Sequence, residues 1–166
     1  MKSFKSFLAE SVDEAAFDFI QCLTSSGGPS SAKCKLSGAA RNYLKQTVSK
    51  DLNLYRGIAI IPQRIDSKNI EALKNLKVGD KLPSFLSKAY GNFASYSKKK
   101  SVANYYSKGK LQIITKGKVP KTKIIADLEK LSGDIWADDM AYFKDDKEVI
   151  VEEPVDVEII SIKGSL

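Results

Sequence analysis

The sequence predicts an α+β protein. Helical periodicity is confined to the first third of the chain, apolar and β-branched runs fill the rest, and the two kinds of segment are segregated rather than alternating. A chain of 166 residues is long enough for one domain with a sizeable core.

In the opening stretch MKSFKSFLAE, Phe4, Phe7 and Leu8 share one helical stripe within a basic segment. Ser11 to Glu14 (SVDE) reads as a capping box, predicting a helix from Ser11 to about Leu23. TSSGGPSS, residues 24–31, reads as a loop, and a second helix is expected over roughly Ala32 to Val48. The pattern then changes. LNLYRGIAII, residues 52–61, predicts a strand. Asp66 to Leu76 predicts a short helix capped by Asp66 or Ser67, and Lys77 to Ser87 a turn followed by a strand. Phe93 to Ser95 is expected as a short strand, with Ser97 capping a helix through Tyr106. Further strands are expected at Leu111–Thr115, Lys123–Ala126, Glu148–Val151 and Val155–Ile162.

Composition narrows the chemistry. Hydrophobic residues make up 43% and charged residues 28%, as in globular proteins, and no run reaches the roughly 18 apolar residues of a membrane span, so no membrane partner is expected. The net charge of +7 favours acidic partners such as nucleic acid, acidic protein faces or phosphorylated ligands. The densest basic run is Lys98-Lys99-Lys100, and no stretch interleaves Arg with aromatics as a single-strand binder would. Cys22 and Cys34 lie in predicted helices outside any CxxC pair; reduced, buried thiols are expected, with a disulfide between them as the alternative. The chain has no histidine, which removes His-dependent triads, His metal sites and His general bases. Chemistry must rest on carboxylates, hydroxyls, Lys, Arg or Cys.

Three short motifs carry candidate chemistry. Tyr55-Arg56-Gly57 places an Arg inside an apolar strand, which is costly unless it meets an anion, either a ligand or a nearby carboxylate. Phe93-Ala94-Ser95-Tyr96-Ser97 is a hydroxyl-rich strand end feeding a helix that carries Val102, Ala103, Tyr105 and Tyr106. Asp146-Lys147-Glu148 opens an apolar strand. At i and i+2 the two carboxylates would share one strand face, and their repulsion would raise one pKa.

In this order the motifs resemble the R-S-E class of mono-ADP-ribosyltransferases: a strand Arg, an S-x-S strand entering a helix, then an (E/Q)-x-E pair opening a late strand. The resemblance covers about residues 52–162. The missing histidine excludes the diphtheria-like H-Y-E class. The resemblance implies a split β-sandwich with an NAD cleft, preceded by helices. It implies NAD as substrate and no metal. Glu148 would be the central catalytic residue, with Ser95 orienting it and the ribose, and Asp146 facing the acceptor. Arg56 would pair with NAD phosphate, the Gly57 backbone would hold the nicotinamide amide, and Ser97 would complete the binding strand. Trp136 to Lys144 would be the target-recognition loop, with Tyr142 and Phe143 as contacts. Two positions depart from the pattern. Tyr96 occupies the middle of the S-x-S, where its side chain should face away from Ser95. Asp146 stands where the family has Glu or Gln, which leaves the acceptor type open.

MKSFKSFLAE also resembles the capsid-targeting peptides of internal head proteins in T-even-type bacteriophages, which are cut after a Leu-x-Glu or Ile-x-Glu site. Leu8-Ala9-Glu10 fits that site. The implied organisation is a propeptide, residues 1–10, and one domain, residues 11–166, with a helical part at 11–50 and a strand-rich core at 51–166. The implied location is the virion head interior, then the host cytoplasm, with a host protein as target, possible candidates being the transcription or translation machinery. Transfer to nucleic acid is one alternative. A non-enzymatic, basic, DNA-binding internal head protein is another.

Overall fold

The fold is mixed α and β, built on one open six-stranded antiparallel sheet. A computed structural model describes residues 4–25, 33–87, 91–132, 136 and 145–166. In chain order the elements are α1 (Phe4–Ser25), α2 (Gly38–Lys45), β1 (Leu52–Ile60), α3 (Ser67–Lys74), α4 (Ser84–Ser87), β2 (Phe93–Ser97), α5 (Lys100–Tyr106), β3 (Leu111–Val119), β4 (Ile124–Asp127), β5 (Glu148–Glu152) and β6 (Glu158–Gly164). The strand order is β4-β5-β2-β1-β3-β6. β1 pairs with β3 over nine positions but with β2 only at Tyr55 opposite Ser97. Two three-stranded halves therefore meet at a single register pair among the described residues.

Alternation divides the sheet's residues between two faces. On one face Leu54, Ile58 and Ile60 of β1, Ala94 and Tyr96 of β2, and Val149 and Val151 of β5 form a core with Leu73, Leu82 and Leu86. On the other face α1 and α2 cover β4 and β5 through Ala16, Phe19, Ile20, Ala40 and Leu44 packed with Ile125, Ala126 and Ile150. The far end of that second face is covered by α5. A Cβ on Gly57 would sit 1.8 Å from the Ala103 carbonyl oxygen, so only glycine lets α5 lie this close to β1. Between these coverings lie Ser95, exposed, and Glu148, half-buried.

Several expectations change. α1 is continuous from Phe4 through Ser25, so Ser11 does not start a helix and the expected capping box is not a helix boundary. The second helix is shorter than expected, because Ser37 caps it by accepting from the Ala40 N–H (3.1 Å). Cys22 and Cys34 are disulfide-bonded, with Cα atoms 5.7 Å apart, rather than reduced. The bond ties the end of α1 to the segment before α2, an approach that sequence spacing alone could not establish. Lys77–Ser87 contains no named strand. A turn and an isolated bridge between Lys81 and Glu158 lead to Pro83, whose carbonyl accepts from Leu86 and Ser87 and starts α4. β6 begins at Glu158 rather than Val155, since the Val155 N–H is used by the Glu153 carboxylate (3.0 Å). Ser97 lies two residues ahead of the cap of α5, which is Lys99. Among the described residues, no helix is long and apolar enough to cross a membrane.

Candidate active site

The register of β2 on β5 sets Ser97 opposite Glu148 and Ser95 opposite Ile150. Ser95 and Glu148 are thus diagonal neighbours on one face, within reach across an antiparallel pair. The Ser95 hydroxyl donates to the Glu148 carboxylate. Burial pushes the Glu148 carboxyl up to about 7; the Ser95 hydrogen bond opposes the rise and the nearby Asp146 charge adds to it. Glu148 keeps a solvent-facing side, but protein surrounds most of the carboxylate. A carboxylate with its pKa raised this far can accept a proton or stabilise a positive charge near neutral pH.

Asp146 reaches this site by a route that differs from the expected one. β5 starts at Glu148, so Asp146 and Glu148 do not share a strand face. Residues 145 and 146 form a helical turn, and Lys147 takes a left-handed φ of 49° to bring the chain into β5. A non-glycine residue held there is disfavoured by about 1–2 kcal/mol, so neighbouring contacts must hold it. The Asp146 carbonyl accepts from the Ser97 hydroxyl (2.6 Å), whose oxygen in turn accepts from the Lys99 N–H (2.9 Å). The Asp146 carboxylate accepts from Tyr106 (2.8 Å). An open depression of about 300 Å³ lies beside it, lined by Ser101, Val102, Tyr105, Tyr106 and Asp146. Tyr105 and Tyr106 are exposed there, and Lys108 stands 4.3 Å from the Tyr105 ring centroid.

Arg56 is on the opposite face. It is buried and its guanidinium meets Glu153 at 2.6 Å. Tyr96 donates to the same Glu153 oxygen (2.7 Å), and the Arg56 guanidinium lies over the Tyr96 ring. Burial, with the Glu153 charge, pushes the Tyr96 phenol up, while the Arg56 charge opposes the rise. The anion met by the strand Arg is therefore an internal carboxylate. Strand alternation turns Arg56 into the core, away from Ser95 and Glu148, so the expected contact with NAD phosphate would have to compete with this pair. Tyr96 does face away from Ser95, as its position required. Gly57 belongs to the Ser95 face: had β1 and β2 stayed paired, the register would set Gly57 opposite Ser95. Among the described residues no register pair joins Gly57 to β2, and its Cα side is covered by α5.

The structure thus brings together Ser95, Ser97, Asp146 and Glu148, sets the edge of Gly57 nearby, and separates Arg56. Tyr142 and Phe143 lie outside the described residues. Trp136, at the start of the expected recognition loop, is fully buried, with its ring 5.4 Å from Phe17 and its indole N–H donating to Tyr43 (3.3 Å). Sequence reasoning missed Glu153 and Glu129; it named Tyr106, Lys98 and Lys147 without their carboxylate partners. Glu153 had one signal, a second carboxylate following Glu152 after an apolar strand; Glu129 had none. Comparison with protein-family models, with curated proteins and with solved structures finds no match to the chain.

Proposed function

We propose that the chain is a mono-ADP-ribosyltransferase of the R-S-E type, which cleaves NAD at its nicotinamide–ribose bond and passes ADP-ribose to a protein. The observation that carries this reading is the hydrogen bond from Ser95 to Glu148 on the strands beside the β1–β2 seam. It joins two of the three motifs into one carboxylate site. In this reading the two halves of the sheet correspond to the split β-sandwich of that fold, and NAD would bind over the β1–β2 seam.

The C–N bond breaks with its electron pair going to the nicotinamide nitrogen, so the leaving group departs neutral and positive charge develops on the ribose. Ionised Glu148 stabilises that charge and holds a ribose hydroxyl. Ser95 fixes the carboxylate, and the Gly57 backbone edge serves the nicotinamide amide. The acceptor adds to the ribose carbon and loses one proton, for which Asp146, beside the open depression, is the nearest second carboxylate. Arg56, held by Glu153, positions β1 against β2. The segment at 1–10 remains a proposed capsid-targeting propeptide, with the virion and then the host cytoplasm as location. Cleavage after Glu10 would leave α1 to start at Ser11.

One observation favours a nucleic-acid acceptor as the second reading: exposed Tyr105 and Tyr106 beside Lys108 offer stacking and charge at the depression. Incubation of the protein with labelled NAD and host lysate tests the proposal. A labelled species destroyed by protease and spared by nuclease supports protein transfer. The reverse supports the second reading. Salt-sensitive DNA binding without nicotinamide release or label would identify a non-enzymatic DNA-binding protein and overturn the proposal.

A further inference from the structure

The two strand ends that carry the site are tied by one carboxylate outside it. Glu129 sits on the single 3-10 turn that follows β4, residues 128–130. One of its oxygens accepts from Lys147 (2.6 Å) and the other from Lys98 (2.8 Å). Lys98 immediately follows Ser97 at the end of β2, and Lys147 immediately precedes Glu148 at the start of β5. The Lys98 N–H also donates to the Lys147 carbonyl (3.2 Å). A second carboxylate anchors the first arm: Lys98 donates to both oxygens of Asp127 (2.7 Å each), whose side chain is buried. Burial lowers the Lys98 pKa, but hydrogen bonds to Asp127 and Glu129 outweigh it and leave the group raised. Hydrogen bonds from Lys147 and Lys98 pull the Glu129 carboxyl down to about 2, so the bridge is ionised at any pH where Glu148 titrates.

We infer that Glu129 is a positioning residue: by clamping Lys98 to Lys147 it holds Lys147 in its left-handed conformation and so sets where Asp146 and Glu148 stand relative to Ser95 and Ser97. The inference rests on the catalytic reading of Glu148 for its functional consequence, while the geometry can be tested apart from catalysis. Two observations converge on it. The backbone at Lys147 is one an L side chain adopts at a cost, and the side chain of that same residue is held by Glu129. The Ser97 hydroxyl and the Lys98 N–H reach successive carbonyls, Asp146 and Lys147, a pairing that fails if the turn relaxes.

The test compares Glu129→Gln with Lys147→Met. The first removes a negative charge and the second a positive one. Simple electrostatics would move the Glu148 pKa down in the first and up in the second. A clamp that keeps Glu148 crowded against Asp146 and protein predicts a fall in both, by about one unit or more, as the turn relaxes and water enters. Carbon NMR titration of the Glu148 carboxyl reads this whether or not the protein turns over NAD. Opposite shifts, or no shift in Lys147→Met, would overturn the clamp. Nicotinamide release adds the functional arm: kcat should fall by about tenfold to a hundredfold in both variants, with KM for NAD little changed. Lys147→Gly, which accepts a positive φ freely, should recover part of the rate when added to Glu129→Gln. Wild-type protein that releases no nicotinamide would sink the proposed function. Active wild-type protein with unaltered Glu129→Gln and Lys147→Met variants would sink the clamp alone.

Discussion

The two faces of β1, β2 and β5 carry charge in opposite ways. On the core face, Arg56, Glu153 and Tyr96 form a closed set: the guanidinium meets a carboxylate, and that carboxylate also accepts from a phenol and a backbone N–H. On the other face, the Glu148 carboxylate has a hydroxyl partner in Ser95 and a like charge nearby in Asp146. The core face excludes water, whereas Ser95 is exposed and Glu148 half-buried. The difference is compensation. A buried charge that meets a counterion and hydrogen-bond partners stabilises the register of the strands, whereas a buried carboxylate beside a like charge has its pKa raised toward neutrality.

The first way to break this comparison is on the core face. Arg56→Ala leaves Glu153 without its cation and should destabilise the fold by about 3–5 kcal/mol, measured by denaturant unfolding. A loss below about 1 kcal/mol would mean that the pair contributes little. On the reactive face the expected effect is on rate. Glu148→Gln should lower nicotinamide release by about 10²- to 10³-fold while the chain stays folded. It should also alter the pH dependence of stability. Glu148 has a folded pKa near 7, above its ordinary 4.5, so wild-type stability falls as pH rises between those values and then levels off. The Gln variant lacks that decline and should be about 1–3 kcal/mol better placed above pH 7 than below pH 4.5, relative to wild type.

Away from both faces, Cys22→Ser should lower stability by about 2–3 kcal/mol and leave the rate of NAD cleavage unchanged. A changed rate would show that α1 reaches the site. The smallest effect sharpens the division of labour within the reactive face: Asp146→Ala should reduce transfer about tenfold and leave NAD hydrolysis within about twofold. Equal loss of both activities would contradict an acceptor role.

Much of the strand-rich part was legible because local chemistry dictates it. The apolar run of β1, the hydroxyl-rich end of β2 and the apolar opening of β5 each declare themselves within a few residues. What was not legible depended on the other strands. Whether Arg56 faces a ligand or a carboxylate is decided by Glu153, 97 positions away, and by the face that alternation assigns it. The relation of Asp146 to Glu148 hinges on one left-handed residue, Lys147, which nothing in the D-K-E triplet announces. Ser11 to Glu14 matched a capping box, yet the backbone stays helical from Phe4, because a capping pattern permits a helix start without enforcing one. The Cys22–Cys34 bond depends on the end of α1 approaching the segment before α2, which spacing does not specify.

The most direct test of the account is nicotinamide release from NAD, followed from pH 5 to pH 9 for wild-type protein and Glu148→Gln. The account predicts a wild-type rate that rises with pH through a midpoint near 7, as the Glu148 carboxyl ionises, and a Gln variant with almost no rate at any pH. Wild-type protein that releases no nicotinamide, or a Gln variant that matches it, would contradict the assignment of Glu148.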